Sequence, residues 1–388
     1  MKQTRIVFLY SAPTGGHREC AEAVRSVFQR ASGSQVQTFG LDAIRTLYPL
    51  LGGLIAKTYL EILKYTPQIW DFLYDHPDLA EITRELRQLF SFLDSPKLKA
   101  LLMEYRPNVF VCTHAVPAGL IAEQKRRGNC KIPLVAVVTD YDVHSFLVYP
   151  DVDLYIVANA ESKEALLARG IEGTKIRICG IPVNPAFNRK ISQSEARKKL
   201  GLDIHRPAVL IMGGTRGLGP IEKILEELLL LKPAPQILIV TGDNKELAGG
   251  ISEHKKTRGV QIYEFTKQVP LLMDASDLLI TKPGGLTSSE ALIKGLPMLI
   301  VHPIPGQEER NARYLIKNGA AVQIKELKDL KEKVKYYLSH PRELSRISER
   351  MKGIATPEAS YEAAGEILKA AEAAQASTNR EDTELVLT

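Results

Sequence analysis

The chain reads as an α/β protein built from two doubly wound, Rossmann-like domains facing a cleft, and three observations predict it. Short apolar runs alternate with helical patterns from end to end, as parallel strands joined by covering helices require. A glycine-rich turn follows the opening strand of each half, at 14–17 and 212–217, the end of such sheets where ligands bind. A length of 388 residues, 45% hydrophobic, fills two cores and would be unusual for one.

In the first half, strands are expected near 5–11, 36–39, 109–113, 134–139, 154–157 and 176–179. In the second they are expected near 208–212, 236–241, 261–264, 278–281, 298–301 and 321–322. Between the sets, Gly180-Ile181-Pro182-Val183-Asn184-Pro185 carries two prolines that interrupt helix and strand alike. The expected layout is an amino-terminal domain over 1–182, a linker over 183–205, and a carboxyl-terminal domain over 206–357. A helix over 358–376 then closes the second domain or crosses back onto the first, and a polar, disordered tail fills 377–388.

Charge and cysteine usage narrow the partners. Against 45 Asp+Glu, 51 Lys+Arg give a net +6, which favours an anionic membrane surface or an anionic substrate. No dense basic block is interleaved with aromatics, which speaks against nucleic acid. Cys20, Cys112, Cys130 and Cys179 are scattered without CxxC spacing and read as thiols in a reducing cytosol. The amino terminus runs straight into the apolar 6–10 with no cleavage-site pattern, and uncharged stretches such as 46–56 fall short of the roughly 20 residues that span a bilayer. The chain is expected to be soluble or peripheral to a membrane.

The densest chemical signal is Lys282-Pro283-Gly284-Gly285-Leu286-Thr287-Ser288-Ser289-Glu290, a strand end, a glycine turn and a helix start. Gly284 and Gly285 let the backbone approach a ligand, and Thr287, Ser288 and Ser289 open the next helix with free amides, a cradle for phosphate. Glu290, one turn further on, accepts hydrogen bonds only and suits the two hydroxyls of a ribose. Gln307 and Glu308 follow the next apolar run and suit the hydroxyls of a hexose. A diphosphate, a ribose and a hexose together make a nucleotide sugar, so the pattern points to sugar transfer. Gly213, Gly214 and Thr215 form a second glycine turn, and Phe265 with Thr266 ends a strand that would border the base.

In the first half, Gly15 and Gly16 permit a tight turn, and His17 sits in the first turn of the helix they open, whose Ala21, Val24, Phe28 and Ala31 share an apolar face. The positive end of that helix lowers the His17 pKa and keeps a neutral imidazole available, although a plain strand-to-helix turn has the same pattern. Asp140, at another strand end, is placed to take a proton from an acceptor hydroxyl, with His144 and Phe146 close behind. Asp140-Tyr141-Asp142 also has the form of a metal-binding DxD, but the glycine turns already provide for a diphosphate without a cation. Residues 48–74 hold six of the 25 aromatic residues, Trp70 among them, where even spacing would put about two. This stretch suits a membrane interface or a lipid acceptor, or else an ordinary core helix.

With these pieces in order, the chain resembles the processive diacylglycerol glucosyltransferases and monogalactosyldiacylglycerol synthases, and more distantly the peptidoglycan N-acetylglucosaminyltransferase. The resemblance runs from about residue 5 to 370 and rests on 281–290, Pro305-Gly306-Gln307-Glu308 with Asn311, Gly180-Ile181-Pro182-Val183, Gly15-Gly16-His17, and Thr139-Asp140 with His144. It implies the glycosyltransferase type B fold and an inverting transfer that needs no metal or other cofactor. It also implies UDP-glucose or UDP-galactose as donor, glucose favoured by the likeness of 281–311 to the bacterial enzymes, and diacylglycerol as acceptor. The place it implies is cytoplasmic, peripheral on the inner face of the cell membrane. Glu290 would hold the ribose, 285–288 the diphosphate, and Gln307 and Glu308 the sugar, while His17 and Asp140 form the catalytic pair. Ala12-Pro13-Thr14 and Phe146-Leu147 depart from the pattern, both on the acceptor side. The rival readings are transfer to another lipid or a glycan, a UDP-sugar epimerase, and a non-catalytic UDP-sugar sensor.

Overall fold

The computed structural model of the protein describes residues 3–11, 15–31, 35–47, 95–253 and 259–386. The chain divides into two compact units, Met1–Asn184 with Glu358–Thr388, and Pro185–Pro357. In the first unit the elements run β1 (Thr4–Tyr10), α1 (Gly16–Ala31), β2 (Val36–Asp42), α2 (Ala43–Leu47), α3 (Ser95–Tyr105), β3 (Val109–Cys112), α4 (Ala115–Arg126), β4 (Leu134–Val137), β5 (Leu154–Val157), α5 (Ala160–Ala168) and β6 (Ile176–Ile178). Six parallel strands form one sheet in the order β2-β1-β3-β4-β5-β6. Its inner strands are apolar on both faces, as a sheet covered by crossover helices demands: Val109–Cys112, Leu134–Val137 and Leu154–Val157 are buried throughout. Helix α1 buries Ala21, Val24 and Phe28 against this sheet side, whereas Ala31, at its end, is exposed.

The second unit continues with α6 (Gln193–Lys199), β7 (Ala208–Met212), α7 (Ile221–Leu229), β8 (Gln236–Gly242), α8 (Lys245–Glu253), β9 (Val260–Glu264), α9 (Val269–Ala275), β10 (Leu278–Thr281), α10 (Gly285–Lys294), β11 (Met298–Val301), α11 (Gln307–Lys317), β12 (Ala321–Ile324), α12 (Leu330–Ser339) and α13 (Pro341–Lys352). Its sheet, also six-stranded and parallel, has the order β12-β11-β10-β7-β8-β9. The strand order turns back between β1 and β3 in the first sheet and between β7 and β10 in the second. Those carboxyl ends are where an open α/β sheet receives a ligand.

Three boundaries differ from the sequence reading. Residues 183–205 are not a linker. Their latter part folds as a 3-10 turn at Pro185–Asn188 and helix α6, both within the second unit. The reason is a buried cation: Arg197 donates Nη2 to Asp277 Oδ2 at 2.6 Å, Nε to Ala275 O at 3.0 Å and Nη1 to Ile204 O at 2.9 Å. Asp277 Oδ2 also accepts from the Ala208 amide at 2.7 Å, so one carboxylate fixes α6 to the start of β7. The final helix, α14 (Ala359–Val386), belongs to the first unit and packs on α1, β1 and β3. Ala359, Ala363, Ala364, Ile367 and Ala371 are buried along it, and the small alanines let α1 come close. This helix runs on through the expected disordered tail to Val386. Among the described residues no helix is long and apolar enough to cross a membrane.

Removing the Arg197 charge while keeping its length tests the assignment of α6. Arg197→Met leaves Asp277 partly buried without its cation and should destabilise the protein by about 3 kcal/mol. Urea denaturation measures it, and a change below about 0.5 kcal/mol would place α6 outside the cooperative unit.

Candidate functional site

In the first unit the switch point is built by the turns after β1 and β3. Gly15 has φ 130°, open to glycine and strained for other residues, and its carbonyl accepts the first helical bond of α1 from Glu19 N at 3.1 Å. His17 therefore lies in the first turn of α1, and the residue after β3 locks it in two directions. His17 Nδ1 lies 2.6 Å from Thr113 O, and Thr113 Oγ1 donates to His17 O at 2.8 Å. A carbonyl only accepts, so Nδ1 carries the proton and Nε2 presents a lone pair. Thr139 Oγ1 lies 3.2 Å from the same Nδ1 and donates to Asp140 Oδ2 at 3.3 Å. The structure thus brings His17 and Asp140 together through Thr139, with Asp140 only 8% exposed.

Two further histidines close on this group. His144 Nδ1 accepts from Phe146 N at 3.2 Å, and its ring meets that of Phe146 edge-on at 5.9 Å. His114, which the sequence reading passed over, caps α4: its Nδ1 accepts from Val116 N at 3.2 Å. The His114 and His17 rings meet edge-on with centroids 4.6 Å apart. With Nδ1 accepting in both, His114 and His144 carry their protons on Nε2, the opposite tautomer to His17. Burial pushes the His17 pKa down, opposed by its bond to Thr113. His114 is held well below the ordinary histidine range by burial first, then by the charges His17 and His144 would carry. The cause of the His17 shift is thus chiefly desolvation rather than the helix dipole expected from sequence. The signal for His114 was its place directly after a buried apolar strand.

In the second unit, Thr281 ends β10 and donates Oγ1 to Met212 O, at the end of β7, at 2.9 Å. The 213–219 turn then folds back on itself, Leu218 N to Gly213 O at 2.9 Å and Gly217 N to Gly214 O at 3.1 Å. A Cβ on Gly213 would lie 2.6 Å from Leu218 O, so glycine there serves close backbone packing. Gly214 has φ 70°, and the Thr215 carbonyl accepts from Asp243 N at 2.7 Å. Across the switch point, Gly284 opens α10 without any side chain capping it, leaving the amides of Gly285, Leu286 and Thr287 outside the helix's own ladder. Ser288 is fully buried, and among the described residues its Oγ has no hydrogen-bond partner. Glu290 follows one turn on, partly buried.

Helix α11 ties this turn to the next loop. Asn311, fully buried, donates Nδ2 to Pro283 O at 3.0 Å. Glu308 pairs with Lys282 Nζ at 2.9 Å and accepts from Ile304 N at 2.8 Å. Its carboxylate is thereby engaged in holding the 303–306 loop against the glycine turn, a role the sequence alone did not display. Gln307 opens α11 directly after Gly306, whose φ 88° and ψ −107° only glycine adopts easily. Phe265, half exposed, and Thr266, which accepts from Gln268 N at 3.1 Å, follow the edge strand β9. Asp142, the second acid of the DxD, accepts from the Val143 amide at 2.8 Å. Trp70, the 48–74 aromatic stretch and the Ala12-Pro13-Thr14 departure lie outside the described residues.

A family model described as monogalactosyldiacylglycerol (MGDG) synthase matches residues 17–183, and one described as the glycosyltransferase family 28 C-terminal domain matches residues 208–363. The chain is 30% identical over 382 residues to the probable monogalactosyldiacylglycerol synthase 2, chloroplastic, of Oryza sativa subsp. indica, covering 94% of this chain and 80% of that protein. It is 27% identical over 367 residues to the processive diacylglycerol beta-glucosyltransferase of Staphylococcus saprophyticus, covering 94% and 92% of the two. The solved structure of Acinetobacter baumannii MurG matches with a TM-score of 0.59 at 16% identity, covering 94% of this chain and 99% of MurG. The fold is the glycosyltransferase type B architecture expected from sequence.

Both lowered histidines bear on stability. Between their folded pKa values and about 6.5 the unfolded chain binds more protons, so stability rises with pH there. The contribution is complete above about pH 6.5 and drains away as pH falls below it. Urea denaturation from pH 7.5 to 5.5 should show this loss, and His114→Asn should reduce the slope by at most about 1.4 kcal/mol per pH unit. An identical slope in the variant would mean that His114 does not titrate with unfolding.

Proposed function

Because the chain belongs to the monogalactosyldiacylglycerol synthase family, with a family 28 carboxyl-terminal domain, and is a UDP-sugar glycosyltransferase, we propose that it transfers a hexose to the free hydroxyl of diacylglycerol. Glucose is the favoured hexose, on the likeness of 281–311 to the bacterial glucosyltransferases; relatives named for either product match the chain. Membrane attachment through an anionic surface follows from the acceptor's nature and the net +6 charge.

The observation that carries the mechanism is the His17 tautomer. In our reading the acceptor hydroxyl attacks the anomeric carbon as its proton passes to His17 Nε2. The bond from that carbon to the β-phosphate oxygen breaks, UDP leaves with the electron pair, and configuration inverts. As His17 becomes an imidazolium, its Nδ1–H is already directed at Thr113 O, with Thr139 and Asp140 behind it. This moves the base from Asp140, the sequence expectation, to His17, and gives Asp140 an orienting and charge-balancing role. The departing diphosphate lies at the amides of Gly285 to Thr287, where the Ser288 hydroxyl is available as a further partner. Glu290 takes the ribose, and Gln307 the sugar. Glu308 fixes the loop that carries Gln307, and Phe265 and Thr266 border the base. Gly15 and Gly16 shape the acceptor turn beside His144 and Phe146.

His17→Ala should lower kcat about 10²–10⁴-fold with UDP affinity nearly unchanged. Glu290→Ala should instead weaken UDP-sugar binding by roughly 10- to 100-fold, read by calorimetry. UDP release measured with UDP-glucose or UDP-galactose, with and without diacylglycerol vesicles, tests the reaction itself. Release that needs diacylglycerol supports the proposal. Release without acceptor marks an epimerase, donor binding without turnover a sensor, and turnover only with another lipid or a glycan a different acceptor.

A further inference from the structure

His114 is absorbed by no step above, yet its ring packs edge-on against that of His17. It sits at the amino end of α4, directly after Thr113, whose carbonyl and hydroxyl both bond His17. One ring nitrogen of His114 is spent on the Val116 amide, which fixes the plane of its ring. The His17 ring then stands at 90° to that plane, centroids 4.6 Å apart. Thr113 O and Thr139 Oγ1 both meet His17 at Nδ1, on one edge of the ring. The edge-on contact with His114 adds a steric restraint on the ring plane. We propose that His114 is a positioning residue for the His17 base, holding its imidazole plane and shielding one side of it from water so that Nε2 keeps a single bearing on the acceptor.

The surroundings leave this role to a neutral ring. Near this group among the described residues lie Cys20, three positions along α1 from His17, whose thiol is pushed far up by burial and by the Asp140 charge, and Asp140 itself beyond β4. His144 faces His114 from the 3-10 turn Ser145–Leu147, and Arg18 and Glu19 adjoin His17 along α1. The sole carboxylate in this group beyond α1 is turned to Thr139, on the Nδ1 side of His17. Positive charge on His114 would meet two other imidazoles at close quarters, and burial already disfavours it.

This inference rests on His17 being the base, and two substitutions separate the ring from the cap. His114→Asn keeps a side-chain acceptor for the Val116 amide and removes the ring. His114→Phe keeps a flat ring and removes the cap. The readouts are kcat, KM for diacylglycerol in vesicles, the pH profile of kcat, and the thermal midpoint of each variant. The Asn variant should lose roughly 10- to 100-fold in kcat through misplacement of His17. Its acid limb should move up toward pH 6.5 as water reaches the imidazole, while the KM for diacylglycerol stays near wild type. The Phe variant should keep the wild-type acid limb and lie nearer the wild type in kcat. A wild-type pH profile and kcat in the Asn variant overturn the proposal. So does loss in the Phe variant alone, which would make His114 only a helix cap, or a raised KM with an unmoved pH profile, which would put it on the acceptor. If His17→Ala itself retains turnover, the base assignment has failed instead, and the two failures are told apart.

Discussion

At each switch point a buried threonine hydroxyl ties two neighbouring carboxyl ends of the sheet together, and the rest of the site is placed from that bond. Thr281 Oγ1 joins the end of β10 to Met212 at the end of β7, and Thr113 Oγ1 joins the end of β3 to His17 after β1. Both side chains are nearly sealed from water, at 1% and 2% exposure, where an unbonded hydroxyl would be costly. Chain reversal in a parallel sheet separates the ends of adjacent strands by long crossovers, so nothing in the local sequence holds them in register beyond the last ladder bond. A short side chain that donates across the gap does so without adding bulk to a crevice that must admit a ligand.

From those two anchors the units diverge in chemistry. The first uses side chains: three imidazoles, two threonines and an aspartate, arranged so that one ring nitrogen of His17 remains a lone pair. The second spends backbone: the glycines of the 213–219 and 283–285 turns remove Cβ atoms where the chain packs on itself or a helix begins uncapped. Lys282 and Glu308 neutralise one another while fixing two loops, and the uncapped start of α10 lies beside them as a positive helix end.

Much of this was legible in sequence for a physical reason. Strands buried on both faces are continuous apolar runs, and glycine turns after them are local, so the two sheets, the switch-point turns and His17 could all be read off. What escaped depends on partners far along the chain. The bonds of Arg197 to Asp277, 80 positions away, put α6 in the second unit, yet 183–205 has the composition of a linker. Glu308 looked like a sugar ligand because its type fits, and only the fold reveals that Lys282 and the Ile304 amide already hold it. His114 gave no motif at all; its meaning comes from β1 and β3 being neighbours, although some hundred residues separate them. The alanine face of α14 carries too little hydrophobic pattern to say which unit it covers, and packing against α1 decides it.

In the proposed mechanism His17, rather than the adjacent Asp140, accepts the proton. The Asp140 carboxylate accepts from Thr139, whose oxygen also lies toward His17 Nδ1. A base placed there would have its charge on the far side of the imidazole from any substrate approaching Nε2. His17 by contrast begins neutral, because burial opposes its protonation, and gains a positive charge only when the acceptor gives up its proton. At that moment the Thr113 carbonyl, which had opposed the loss of its pKa all along, becomes the group that steadies the new cation. A site that disfavours the imidazolium at rest and meets it with a ready-made acceptor when it forms directs its stabilisation to the reacting state rather than the resting one.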